Sequence, residues 1–64
     1  MMKIEFKTGG AAFNDPYTGE PFEMYEREEC IRILKEIIEK LKNGYSEGVC
    51  MDINGVKVGT WKLK

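Results

Sequence analysis

The 64-residue sequence predicts an α+β fold of order β-α-β-β, a three-stranded antiparallel sheet with one helix packed on one face. Three observations lead there. Met2 to Lys7 alternates apolar and charged residues, an apolar stripe of helical period runs between Met24 and Asn43, and Asn54-Gly55 separates two short alternating runs. The expected layout is a single domain, 1–64, with a strand at 2–8, a loop at 9–23, a helix at 24–43 and a hairpin at 48–63.

In the first strand, a period of two turns Met2, Ile4 and Phe6 inward, and Gly9-Gly10 ends it. The stretch 8–23 is the least regular. Asp15-Pro16-Tyr17-Thr18-Gly19 reads as a turn, because proline presets φ and glycine accepts a positive φ. Pro21 stands where a first-turn helix position is expected. Connections of this length are long for a compact domain, and such loops are often functional or mobile. Phe13, Tyr17 and Phe22 within it either anchor the loop to the core or meet a partner.

The helix places Cys30, Ile31, Ile33, Leu34, Ile37, Ile38 and Leu41 in one stripe. Glu28/Arg32 and Glu36/Lys40 are spaced for ion pairs one turn apart. Acidic residues lead the helix, Lys40 and Lys42 close it, and Asn43-Gly44 supplies the stop. The stripe is wider than one sheet face requires, so the loop or a second subunit is expected to cover the excess.

In the hairpin, Asn54-Gly55 predicts a two-residue type I′ turn that pairs Ile53 with Val56, Asp52 with Lys57, Met51 with Val58 and Cys50 with Gly59. Val49, Met51, Ile53, Val56 and Val58 are then expected to face the core, with an Asp52–Lys57 ion pair outside. Strict alternation sends Trp61 and Leu63 outward, the indole lying over Gly48 and Gly59. A bulge at Gly59 would reverse the parity and bury Trp61. An outward Trp61 would mark a binding or dimer surface.

Composition bounds the function. The net charge is −1, which gives nucleic-acid binding no general support. Charge is unevenly placed: residues 1–30 carry three basic against seven acidic groups, and residues 31–64 seven basic against four acidic. A bipolar surface of this kind suits antiparallel self-association. There is no His, Ser46 is the single serine, and no phosphate-loop or dinucleotide motif is present. The glutamates at 20, 23, 26, 28 and 29 read as a solvated helix start, and Cys30 and Cys50 as free thiols. The expectation is a protein that is not an enzyme, with no catalytic, metal or cofactor residues. It lacks a signal-peptide pattern and an apolar run long enough for a membrane, so the cytoplasm is its expected location.

Ile4-Glu5-Phe6-Lys7-Thr8 with Ala11-Ala12-Phe13, the helix core Ile31-Arg32-Ile33-Leu34, the exit Asn43-Gly44-Tyr45, and above all Asp52-Ile53-Asn54-Gly55-Val56-Lys57-Val58-Gly59-x-Trp61 resemble a group of small proteins encoded by phages and prophages of Firmicutes. The resemblance covers most of the chain. Gly10 departs from it, standing where a polar residue, often Asn, is expected. What it implies is a cytoplasmic accessory protein that binds and inhibits or modulates a host protein, a host defence system included, as anti-CRISPR proteins do. An acidic loop and helix start would suit occlusion of a basic surface. The residues expected to meet such a partner are Phe13, Asp15, Tyr17, Glu20, Phe22 and Trp61. A homodimer is expected through Ile31, Ile33, Trp61 and Leu63. Two alternatives stand beside this reading: a small nucleic-acid-binding module using the open sheet face, and a dimer holding a small ligand at its seam.

Overall fold

The computed structural model describes residues 1–15, 17–20 and 22–64. Strand β1 (Lys3–Phe6) is followed by a 3-10 turn at Ala11–Phe13, helix α1 (Glu23–Lys42), strand β2 (Glu47–Met51) and strand β3 (Lys57–Lys62). The sheet is antiparallel with order β1-β3-β2, so β3 is central. The chain is α+β, as the sequence predicts. The expected proline roles, Pro16 in a turn and Pro21 at the helix start, lie outside the described residues.

Helix α1 ends as Asn43-Gly44 requires. Gly44 takes φ +88°, its N–H donates to the Leu41 carbonyl, and the Tyr45 N–H donates to the Lys40 carbonyl. These two bonds satisfy carbonyls that the last helical turn would leave bare. Lys40 Nζ lies 4.9 Å from the centre of the Tyr45 ring, closing the same corner.

The hairpin corrects three expectations. Only Gly55 has positive φ, at +80°, so the turn is not the type I′ form, which needs two such residues. Instead the Gly55 N–H donates to the Asp52 carbonyl and the Asp52 N–H to Val56, giving a three-residue loop, Ile53-Asn54-Gly55. Asp52 is the reason. Its carboxylate accepts from the N–H groups of Asn54 and Val56, both at 2.9 Å, and is buried. It therefore makes no outer-face pair with Lys57, which lies opposite Met51. Between the Met51–Lys57 and Cys50–Gly59 pairs, β3 carries one extra residue, Val58. This bulge reverses the parity of the strand.

The core face is nevertheless the other one: Gly48, Cys50, Gly59 and Trp61 share a face as the expected pairing has it, but that face is turned inward. Phe13, Ile33, Ile37, Cys50 and Trp61 form the core, with Phe6, Ala12, Cys30, Leu41 and Val58 packed against it. Val49, Met51, Ile53 and Val56 are exposed, contrary to expectation, while Val58 is half-buried. The indole does lie against Gly48, as expected, but on the inner face. A Cβ at Gly48 would stand 2.8 Å from Trp61 Nε1. Burying one Trp removes more apolar surface from water than burying a Val. The opposite sheet face holds Lys3, Glu5, Glu47, Val49, Thr60 and Lys62 by strand alternation.

Candidate functional site

Two of the expected partner-binding residues, Phe13 and Trp61, are only 1% and 2% exposed, and cannot meet a partner in the folded chain. The 3-10 turn delivers Phe13 to the core, so this part of the loop is an anchor. The remaining four expected residues are distributed along the loop. Asp15 is half-buried and turned on its own backbone, its carboxylate accepting from the N–H groups of Tyr17 and Thr18. The Asp15 N–H donates to Glu20, the Gly19 N–H donates to Asp15, and Asn14 Nδ2 donates to the Gly19 carbonyl. This self-bonded turn holds Tyr17 out, 91% exposed. Glu20 is exposed, and Phe22 lies tilted against Tyr25 at 5.7 Å between ring centres.

The expected dimer residues divide in the same way. Ile33 and Trp61 are core, whereas Ile31 and Leu63 are exposed. With the indole buried, the outer sheet face of Lys3, Glu5, Glu47, Val49, Thr60 and Lys62 carries no aromatic side chain on which bases could stack.

The structure adds a polar latch that periodicity did not reveal. Glu29 faces inward from α1 and is buried. Its Oε2 accepts from the Ile53 N–H at 2.8 Å, and its Oε1 accepts from Arg32 Nε. Arg32 also donates from Nη1 to Glu36 at 2.8 Å and from Nη2 to the Met51 carbonyl at 2.7 Å. The expected Glu28–Arg32 pair is replaced by these contacts, because the guanidinium turns toward the hairpin. The hydrogen bond from Arg32 to Glu29 pushes the Arg32 pKa above its usual value, so the guanidinium stays charged. Sequence offered one signal for it, an Arg with acidic residues three before and four after it.

Beyond the latch, α1 and the outer edge of β2 enclose an open groove of about 570 Å³, lined by Arg32, Lys35, Glu36, Glu39, Lys40, Val49 and Met51. Val49 and Met51 supply apolar surface, while the helix supplies charges of both signs. The backbone of β2 is available there. Leu63 N–H bonds to Ser46 at one end of the β2–β3 ladder and Asp52 N–H to Val56 at the other. Antiparallel alternation then turns the N–H and C=O of Glu47, Val49 and Met51 away from β3. Arg32 takes the Met51 carbonyl.

Both cysteines are free. Burial pushes the thiol pKa of each upward, reinforced by Glu26 and Glu29 at Cys30 and by Glu36 at Cys50, which disfavours the reactive thiolate. Among the described residues no cluster of three His, Cys, Asp or Glu is arranged to hold a metal ion, and no helix is long and apolar enough to cross a membrane. No protein-family model, curated protein or solved structure matches the chain.

Proposed function

We propose that this is a non-catalytic binding protein that captures an extended segment of another protein as a fourth strand beside β2. The observation that carries the reading is the contrast between the two sheet edges. Edge strands that must stay monomeric are blunted by charge, proline or short length. Strand β1 has four residues and is flanked and occupied by Lys3, Glu5 and Lys7. Strand β2 carries Val49 and Met51, exposed, beside outward-facing backbone groups and a groove that can take side chains. Strand addition uses just these parts: backbone bonds for affinity and pockets on alternate residues for specificity.

The resemblance to phage-encoded proteins supplies the setting. The segment captured belongs to a bacterial host protein, which is inhibited or modulated, with defence factors among the candidates. The acidic loop and helix start would lie against basic surface on that partner. The exposed Tyr17 favours a second reading, docking through the loop, since tyrosine is a frequent anchor of interfaces.

The test uses Val49→Pro. The Val49 N–H points away from β3, so proline removes the donor that a new strand needs while sparing the ladder. Extended peptides selected on the wild-type protein should lose binding to Val49→Pro and keep it with Tyr17→Ala. In the wild-type protein their addition should shift the amide resonances of Glu47 and Val49. Binding unchanged in a folded Val49→Pro protein overturns strand capture, and loss confined to Tyr17→Ala moves the site to the loop.

A further inference from the structure

Helix α1 carries a second apolar row that its own domain does not cover. Met24, Ile31, Leu34 and Ile38 keep 55%, 50%, 40% and 49% of their surface exposed. They are not scattered. Met24, Ile31 and Ile38 are seven apart, and Leu34 and Leu41 fall three residues after Ile31 and Ile38. This is the a and d spacing of a helix-pairing seam. It flanks the buried row of Ile33 and Ile37, which accounts for the excess width of the stripe. The 3-10 turn covers part of that excess at Phe13 and Ala12, and leaves this row open.

We infer that a second copy of this chain covers the row, with the two α1 helices antiparallel. Charge chooses both the partner and the direction. The residues bordering the seam on its outer side are Glu28, Lys35 and Lys42, all exposed. When Ile31 of one copy lies against Leu34 of the other, Met24 lies against the part of Leu41 that its own core leaves uncovered. The same alignment brings Glu28 beside Lys35 of the second copy, twice by symmetry. A parallel pair instead sets Glu23 against Glu28 of the other chain, a like-charge contact. Antiparallel packing also opposes the two helix dipoles and sets the acidic helix start against the basic end. The seam runs most of a 20-residue helix, about 30 Å. Its narrow apolar strip makes the dimer a weak one, with dissociation in the micromolar range or above.

The apolar row of this seam and the β2 edge lie on different flanks of α1, with Lys35 alone bordering both, so Ile31→Lys and Val49→Pro test them separately. The test is sedimentation of the full chain across micromolar to millimolar concentration. The wild type should approach twice the chain mass at the upper end. Ile31→Lys changes an exposed residue, and should weaken association at least about tenfold with an unchanged far-UV spectrum and urea midpoint. Glu28→Lys should weaken it roughly two- to fivefold, and Glu28→Lys with Lys35→Glu should restore it. Val49→Pro should leave it intact. A wild-type monomer at millimolar concentration overturns the inference. So does a dimer indifferent to Ile31→Lys, and failure of the charge exchange overturns the antiparallel direction.

Discussion

Glu29 of α1 accepts a 2.8 Å hydrogen bond from the backbone N–H of Ile53, in the β2–β3 loop. The bond joins residues 24 apart in the chain and fixes the hairpin tip against the first half of the helix. Arg32, held by the same carboxylate, reaches the Met51 carbonyl. The helix therefore controls where β2 ends and which of its edge groups remain available to a partner.

Glu29→Ala should lower unfolding stability by about 1–3 kcal/mol, because the part-buried Ile53 N–H and the Arg32 guanidinium lose one acceptor together. Glu29→Gln should lose less, since an amide oxygen can still accept from Ile53. Urea unfolding of the two variants checks the order. Equal losses would show that the Ile53 bond contributes little.

Gly59→Ala should be among the most damaging single substitutions. A Cβ there would lie 1.9 Å from the Glu5 carbonyl oxygen and 2.5 Å from Phe6 Cα, both backbone atoms of β1. Because neither can move without opening the β1–β3 ladder, a loss above about 3 kcal/mol is expected. Gly48→Ala should cost less, as its closest contact is the Trp61 side chain. Thermal melts of the pair test the ranking.

Trp61 emission should be blue-shifted in the folded protein and move red on unfolding, as its burial requires. Trp61→Ala should cost about 3–5 kcal/mol, enough to unfold a domain this small. A folded Trp61→Ala protein with native far-UV circular dichroism would contradict the central place given to the indole.

Stability should fall as pH rises past about 9. Burial, aided by Glu36, raises the folded Cys50 thiol pKa above its ordinary value of 9.0. The unfolded chain therefore loses this proton first, and ionisation favours unfolding. Below that pH the contribution is intact, and it disappears as pH climbs toward the folded value. Urea midpoints measured from about pH 8 to pH 10 should decline less in Cys50→Ala than in the wild type. Parallel declines would remove Cys50 as a source.

Much of the fold is local and was legible. Helical period, acid-first and base-last charge placement and Asn43-Gly44 specify α1 to within one residue at each end, because each signal acts within a turn or two of chain. The alternation of Met2 to Lys7 marks β1. The expected pairing of Cys50 with Gly59 is present, but through a three-residue loop and a bulge that offset each other rather than through the type I′ turn that predicted it. Of the residues expected to meet a partner, Tyr17, Glu20 and Phe22 are exposed, and of those expected at a dimer seam, Ile31 and Leu63 are.

The choice of core face was beyond local reading. Both faces of the hairpin carry apolar residues, Val49 and Met51 on one and Cys50 and Trp61 on the other, so alternation alone is indifferent between them. Tertiary structure decided it through two contacts: Phe13 arriving from the 3-10 turn, and the indole seated on Gly48 in the same cluster as Ile33 and Ile37 of α1. Glu29 entered the interior for the same reason, since the Ile53 donor it satisfies is reached only once helix and hairpin meet, whereas Asp52 is turned in by donors of its own loop, Asn54 and Val56. Sequence by itself determined which elements form and where they stop. Packing decided which side of each is spent on the core and which is left for a partner, because burial is a property of assembled surfaces rather than of any one segment.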